Sequence, residues 1–249
     1  MPRSRYVYIS ELRDRLLKLA EEYMYFSKMR NEFLLALYEE LDRFWKKGEI
    51  TEGEYRQKGN VFRDFIIHLV WLRSDKKFKL RDMRVEGFTE RHDLDLAYVC
   101  NEKLLVAGEV KMLGSPPHRR GGETKPERAT RKDLDKRLKE VKFTPVDLKL
   151  KYTGTNIGDW RAWIKNSIPQ FYSFWVCRIG KEDNAKLIIK KFKALRDWYN
   201  NGVGIFLFKE EDDQYIPLEV EEEELKIILN ELNIDKTIDK IVEFLGSNV

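Results

Sequence analysis

The sequence predicts a mixed α/β protein, in which helices flank a mixed central sheet and an N-terminal helical extension comes first. Three observations lead to this prediction. Residues 10–47 carry apolar side chains at helical spacing, and three strand-like segments follow one another within residues 83–112. Helical and strand-like segments then alternate to the end of the chain.

The first element is a long helical segment. Residues 10–47 contain neither Pro nor Gly, and Ser10 is a suitable N-cap. The apolar residues that recur with near-helical spacing are Leu12, Leu16, Leu19, Tyr23, Phe26, Phe33, Leu37, Leu41 and Phe44. This spacing predicts one long helix or two shorter ones, and we assign residues 1–52 to a helical extension.

A second helix and three strands are predicted next. Residues 54–72 have an apolar helix face, with a polar stripe that includes Asp64 and His68. The segments "MRVEGFTE", "HDLDLAYV" and "KLLVAGEVKM" have the character of strands. The "CNEK" between the last two suits a hairpin turn, so we expect these two strands to pair.

The rest of the chain alternates between helices and strands. Residues 114–130 are rich in Gly, Pro and Arg and predict a loop. Helices are predicted over residues 131–142, 159–167, 183–199 and 225–245. The strands are "FYSFWVCRI", "GVGIFLF" and "YIPLEV", and Pro217 favours an edge position for the last of them.

Composition limits the cellular setting. The 249 residues carry a net charge of only +4, and 36% are charged, with a Lys- and Glu-rich character that is typical of thermophiles. Charges interrupt every apolar run near the N-terminus, which leaves no signal peptide and no membrane span. Cys100 and Cys177 lie in apolar runs without a metal-binding or disulfide pattern. We therefore expect a cytoplasmic protein that has no membrane partner.

Charged residues in the two paired strands are the main functional signal. Asp93 and Asp95 share one side of their strand, and Glu109 and Lys111 share one side of the next. Pairing across the turn would bring the carboxylates together beside one lysine. Carboxylate oxygens are hard ligands that suit Mg²⁺, with Mn²⁺ able to replace it. The alternative is a solvated hairpin whose charges form ion pairs of little energetic value.

The quoted segments "DLDLAYV" and "LLVAGEVK" resemble the core motif of the PD-(D/E)xK nuclease superfamily, the restriction-endonuclease-like phosphodiesterases. The resemblance covers residues 59–142 and implies a nuclease domain over residues 53–249. It implies that Asp95, Glu109 and Lys111 are catalytic, that Asp95, Glu109 and the Val110 carbonyl bind the metal, and that Asp93 is an extra acid. It also implies Mg²⁺-dependent cleavage of DNA of the restriction, junction-resolving or repair type.

The preceding helix departs from the pattern of this superfamily. Many members carry a glutamate there, in a motif like G-x-x-F-E. Here Gly59 and Phe62 match, but Arg63 occupies the position of the acid and Asp64 follows. Asp64 is therefore the candidate third acid, unless the site functions without one from this helix.

A basic tract follows the motif. Residues 111–142 contain eleven basic and five acidic residues, so the positive charge of the chain is concentrated there. We expect its cations to contact DNA phosphates, duplex or branched, rather than to form an ordinary charged surface. The candidate contacts are Arg119, Arg120, Lys125, Arg128, Arg131 and Lys132.

Three questions stay open at this stage. The N-terminal helices could form a homodimer interface, clamp DNA or cover the sheet. A catalytically weak or inactive nucleic-acid-binding module is an alternative to the endonuclease. A ribonuclease or defence effector is a further alternative, because phosphoryl chemistry does not distinguish sugars.

Overall fold

The fold is known from a computed structural model that describes residues 7–249 of the chain. The first six residues of the predicted extension lie outside the described part. The described part contains ten α-helices and eight β-strands, in the mixed α/β arrangement that the sequence predicts. No helix within it is long and apolar enough to cross a membrane.

The N-terminal segment is divided into several helices. They are α1 (Val7–Tyr23), α2 (Phe26–Leu37), a π-helical turn (Tyr38–Asp42), α3 (Arg43–Lys47), α4 (Glu52–Arg56) and α5 (Lys58–Arg73). The break between α1 and α2 occurs at Met24, whose φ of 59° is outside the helical region. The chain therefore turns back there, so the segment is not one long helix, and beyond α2 it continues through the π-helical turn into α3.

The remaining elements supply the sheet and its covering helices. The strands are β1 (Arg81–Glu86), β2 (Arg91–Cys100), β3 (Lys103–Leu113), β4 (His118–Arg120), β5 (Glu123–Lys125), β6 (Gln170–Arg178), β7 (Gly202–Glu211) and β8 (Gln214–Pro217). The helices are α6 (Thr130–Thr153), α7 (Trp160–Asn166), α8 (Ala185–Trp198), α9 (Glu223–Glu231) and α10 (Ile234–Asn248). The predicted C-terminal helix is thus two helices, α9 and α10.

Six strands form one mixed sheet in the order β1-β2-β3-β6-β7-β8. Strands β3, β6 and β7 are parallel, and the other three pair antiparallel with their neighbours. The parallel pairs require crossovers, which α6 with α7 and then α8 provide. The edge position predicted from Pro217 is confirmed for β8.

Each face of the sheet is buried under its own set of helices. The first core cluster joins apolar residues of α1, α2, α5 and α10 to one face, including Phe33, Phe65 and Val110. The second core cluster joins α6, α8 and α9 to the other face, including Leu138 and Phe192. The N-terminal helices therefore cover the sheet, one of the three roles that the sequence leaves open for them.

Candidate active site

Strands β2 and β3 form the hairpin that the sequence predicts. Their register pairs Leu96 with Gly108 and Ala97 with Ala107 in antiparallel fashion. The connecting residues Asn101 and Glu102 both have positive φ angles, 48° and 62°, as a tight two-residue turn requires. The two motif segments therefore lie side by side.

Asp95, Glu109 and Lys111 meet at this hairpin. The Lys111 ammonium donates to Asp95 Oδ2 at 2.9 Å and also contacts Glu109 Oε2. Asp95 Oδ2 accepts a second hydrogen bond, at 2.9 Å, from the backbone N–H of Val110. These three side chains, which the resemblance implies to be catalytic, are named here the carboxylate–lysine group.

A β-bulge in β2 sets the position of Asp95. In the pairing with β1, the three residues from Arg81 to Met83 lie opposite the four residues from Leu94 to Ala97. As a result Leu94 and Leu96, although two residues apart, pack into different core clusters. The side-chain alternation is therefore broken beside Asp95, which directs this carboxylate toward β3.

The carboxylate–lysine group lies on the face of the sheet that α6 and α8 cover. Along β3, Val106 and Val110 pack into the first core cluster, whereas Ala107 and Leu113 pack into the second. Glu109 and Lys111 alternate with Val110 and therefore point toward the second cluster. Glu109 is level with Ser173 of β6, in the middle of the parallel strands.

Burial dominates the electrostatics of this group. The side chains of Asp95, Glu109 and Lys111 are 24%, 13% and 21% exposed. Burial raises the pKa of Glu109 to about 7, although Lys111 opposes the shift. Burial alone would lower the pKa of Lys111, but the two adjacent carboxylates outweigh it and raise the pKa. The lysine is consequently a stable cation here, and Glu109 is the group that titrates near neutral pH.

The donor set is suited in part to a hard divalent cation. Asp95 and Glu109 supply carboxylate oxygens that converge on one point, where the Lys111 ammonium now lies. Within residues 7–249, however, no group of three or more His, Cys, Asp or Glu side chains is arranged as metal ligands. Two acids and the backbone of Val110 are therefore what this chain offers.

Asp93 lies apart from the carboxylate–lysine group. It forms an ion pair with Arg84 of β1, with 3.0 Å between Arg84 Nη2 and Asp93 Oδ2, and its side chain is 71% exposed. The expectation that Asp93 and Asp95 share a face is wrong, because the bulge interrupts the alternation that it assumed. The metal-binding role of Asp93 stays a prediction.

The structure does not bring Asp64 to the carboxylate–lysine group. Asp64 binds Arg13 of α1 at 3.0 Å and Arg63 of α5 at 2.9 Å. Helix α5 packs on the first core cluster, so the sheet separates it from the face that carries Glu109. The arginine in the position of the expected acid thus holds the neighbouring aspartate instead.

The basic tract contains a hairpin that the sequence analysis missed. The sequence predicts a loop over residues 114–130, but β4 and β5 pair antiparallel there, with Arg120 opposite Glu123. The connecting Gly121 and Gly122 have φ angles of 58° and 83°, which a two-residue turn with two positive φ angles requires. The Gly-Gly dipeptide was the sequence signal that could have predicted this hairpin.

Carboxylates already partner most of the candidate DNA contacts. Four ion pairs involve this set: Arg120 with Glu52 at 3.2 Å, Lys125 with Glu123 at 2.6 Å, Arg128 with Asp133 at 2.5 Å and Arg131 with Glu182 at 2.8 Å. Arg119 and Lys132 have no carboxylate within 4.0 Å in the described part of the chain. They are the cations of this set most available to a phosphate.

A cavity of about 480 Å³ lies beside the β4–β5 hairpin. Its lining includes Trp45, Gly48, His118, Arg119 and Arg120. The rings of Tyr55 and His118 lie nearly parallel to the Trp45 indole, with centroids 4.2 and 4.0 Å away. Two rings this close to one centroid occupy both of its faces, so Trp45 offers only its edge to a ligand.

The fold and this site define a mixed α/β protein with a buried carboxylate–lysine group on one face of its sheet. Comparisons with protein families, with curated proteins and with solved structures find no match for the chain. The functional argument therefore depends on the geometry of the chain itself.

Proposed function

We propose that this protein is a Mg²⁺-dependent endonuclease with a restriction-endonuclease-like core that hydrolyses phosphodiester bonds of DNA. The observation that carries the proposal is the convergence of Asp95, Glu109 and Lys111 from two adjacent strands. Two largely buried acids and a lysine on a sheet face that is mainly apolar cost free energy, which a catalytic role would justify.

Each member of the carboxylate–lysine group has a defined task in this reaction. Asp95 and Glu109 would hold the cation, together with the Val110 carbonyl that the resemblance implies. When bound, the cation would lower the pKa of a water molecule and neutralise charge on the phosphate. Lys111 keeps its proton because both carboxylates raise its pKa, and it can therefore orient the water or stabilise negative charge on phosphorus.

The surface near the motif supports a nucleic-acid substrate. Arg119 and Arg120 project from the β4–β5 hairpin, and Arg131 and Lys132 lie in the first turn of α6. Helix α6 also contributes Leu138 to the core cluster on the face that carries the carboxylate–lysine group. A phosphate backbone bound by these cations would thus contact the helix that covers the acids.

The first experiment measures cleavage of supercoiled plasmid, branched DNA and RNA in Mg²⁺, Mn²⁺ or EDTA. We expect metal-dependent DNA cleavage that leaves 5′ phosphates and 3′ hydroxyls. Glu109→Ala and Lys111→Ala should each reduce the rate at least about a hundredfold, because the first removes a ligand of the cation and the second removes a positive charge that would stabilise the transition state.

The matched controls are Glu102→Ala and Lys103→Ala, which remove an exposed acid and an exposed lysine at the end of the same hairpin. We expect both controls to cleave at the wild-type rate. Wild-type cleavage by Glu109→Ala and Lys111→Ala would exclude the proposal. Cleavage of RNA alone would identify a ribonuclease instead.

A nucleic-acid-binding module without catalysis is the second candidate. The Lys111 ammonium contacts both acids where a cation would have to bind, and Asp64 is held by arginines elsewhere. Both observations favour weak metal affinity. Binding of DNA without cleavage in any of the metals would support this candidate over the endonuclease.

A further inference from the structure

A recess of about 700 Å³ between α7, α8 and α10 has a strongly cationic lining. Five basic side chains line it: Arg161, Lys165, Lys193, Arg196 and Lys240. Asp197 is the one acidic residue among the described residues that line it. The recess also includes Asn201, whose backbone N–H donates to the Phe171 carbonyl where β6 and β7 begin. It is thus separate from the carboxylate–lysine group, which lies further along the parallel strands.

The cations of this recess are poorly balanced by carboxylates. Lys193 and Arg196 share Asp197, each at 2.7 Å, and Arg196 also binds Glu231 at 2.7 Å. The other three, Arg161, Lys165 and Lys240, have no carboxylate within 4.0 Å among residues 7–249. Five cations therefore face two carboxylates, in contrast to the ion-paired cations of the basic tract.

Neutral groups contact two of the three unbalanced cations. The Arg161 guanidinium lies 4.0 Å from the ring centroid of Trp198, and the Lys165 ammonium donates to the carbonyls of Arg196 and Asn200. Lys240 is exposed. Neutral acceptors orient these side chains but do not cancel their charge, so the recess concentrates positive potential.

A fully buried lysine lies next to the recess. Lys149 has no exposed surface, its ammonium donates to the Ser167 carbonyl, and it lies 3.5 Å from the side-chain oxygen of Asn201. Burial and then the nearby Lys165 lower the pKa of Lys149 to about 7. Burial also lowers the pKa of Lys165, to about 8. A negative charge in the recess would raise the pKa of both lysines, because an opposite charge favours the protonated form.

We propose that this recess binds a phosphate-bearing polyanion, either a free one or the backbone of a nucleic acid. A single carboxylate could not balance an excess of three positive charges, whereas a pyrophosphate group or successive phosphodiesters could. Arginine and lysine are the residues that bind phosphate oxygens through charge-assisted hydrogen bonds. The volume of the recess is in the range of about 300–1,000 Å³ that is typical of ligand sites. The proposal does not rest on catalysis by the carboxylate–lysine group.

The test is a binding titration of the full-length protein in EDTA, with inorganic pyrophosphate and a short labelled DNA oligonucleotide as separate probes. The variant Arg161→Ala/Lys240→Ala removes two exposed cations that have no carboxylate partner. We expect this variant to bind at least one of the probes with an affinity that is lower by about tenfold or more, because each lost charge-assisted hydrogen bond weakens binding. The single variant Lys240→Glu should also lower the affinity for the probe.

The matched control is Lys190→Ala, which removes an exposed lysine of α8 that does not line the recess. Competition between the probes distinguishes the two sources: displacement of pyrophosphate by the oligonucleotide indicates a nucleic-acid backbone, and pyrophosphate binding without displacement indicates a free ligand. The proposal is overturned if neither probe binds. It is also overturned if the double variant, with an unchanged thermal midpoint, binds both probes as the control does.

Discussion

The environment of Glu109 shifts the ionisation of its carboxyl to near neutral pH. Its carboxyl is nearly buried, and burial raises its pKa from 4.5 to about 7 even with the Lys111 ammonium in contact. At a pH between 4.5 and about 7, Glu109 of the folded protein therefore keeps a proton that the same residue of the unfolded chain has released. Glu109 therefore reduces the stability of the fold as pH rises from about 4.5 to about 7.

The first prediction concerns this pH dependence. Relative to the wild type, Glu109→Gln should become more stable between pH 5 and pH 8 by on the order of 2 kcal/mol, because the amide has no charge to bury. Urea unfolding of both proteins in EDTA at the two pH values measures the difference. Asp93→Asn, at a highly exposed acid, is the control. An equal pH dependence of Glu109→Gln and the wild type would contradict the buried, titrating carboxyl.

The second prediction compares two glycines of the motif region. A Cβ on Gly108 would lie 2.4 Å from the Tyr172 carbonyl oxygen, whereas a Cβ on Gly59 of α5 would meet nothing within 4 Å. Gly108→Ala should therefore destabilise the protein by about 1–3 kcal/mol, since β3 and β6 would have to separate. Gly59→Ala should stabilise it by about 0.5–1 kcal/mol, as expected in a helix. Denaturant midpoints measure both changes, and similar effects of the two substitutions would refute the close approach of the strands.

At the level of elements, the β4–β5 hairpin is held against the end of α3. A Cβ on Gly48, which follows α3 with a φ of 73°, would lie 2.4 Å from the Arg119 carbonyl oxygen. This close approach needs a residue without a side chain that also tolerates a positive φ. The hairpin is consequently a fixed platform for Arg119 and Arg120.

The third prediction follows from this platform. Replacing Arg119 and Lys132 together with alanine should weaken DNA binding and reduce the slope of log K against log salt by about 2, because two phosphate contacts are lost. The control is Lys226→Ala/Lys236→Ala, on α9 and α10. Binding measured over a range of salt concentrations tests it. An unchanged slope would show that the tract does not contact phosphates.

Helix α6 is longer than the sequence predicts because its second half packs into the core. The sequence predicts its end at residue 142, but it continues through Pro145 to Thr153. A proline inside a helix removes one hydrogen bond, at a cost of about 3 kcal/mol or more. The buried residues Val141 and Leu148 lie on either side of it, and their packing into the second core cluster outweighs this cost.

For the whole molecule, polar contacts connect the N-terminal helices to the far end of the sheet. The Tyr215 hydroxyl donates to Asp42 at 2.7 Å, and Lys46 forms an ion pair with Glu210. Arg178 of β6 binds the other carboxylate oxygen of Glu210 at 2.8 Å. These contacts are added to a core cluster that the extension and the sheet already share.

The fourth prediction is that residues 53–249 do not fold without the preceding helices. Their removal would expose the apolar surfaces of α5 and β8 against which α1 and α2 pack. Circular dichroism should show no cooperative thermal transition for the truncated chain. A folded, cooperative fragment would instead establish the domain boundary predicted after residue 52.

Two point variants within α2 provide a finer control. Phe33 is fully buried and Leu35 is 49% exposed. Phe33→Ala should cost about 3–5 kcal/mol, whereas Leu35→Ala should change the stability by about 0.5 kcal/mol or less.

The sequence by itself determined the class of fold, the order of its main helices and strands, and the approach of Asp95, Glu109 and Lys111. It could do so because these features follow from local patterns: helical spacing, strand alternation and a short turn between two strands. Motif segments so close in sequence have little freedom to separate once the hairpin forms. The β4–β5 hairpin could also be predicted from the sequence, because its Gly-Gly turn is a local signal.

Only the tertiary structure decided which face of the sheet each residue occupies. A single bulge in β2 separates Asp93 from Asp95, and packing on the opposite face separates Asp64 from both. The cationic recess likewise joins residues from α7, α8 and α10 that are distant in sequence. Such arrangements depend on long-range packing and on the position of a β-bulge. Neither produces a repeating pattern in the amino-acid sequence, so neither can be predicted from one sequence.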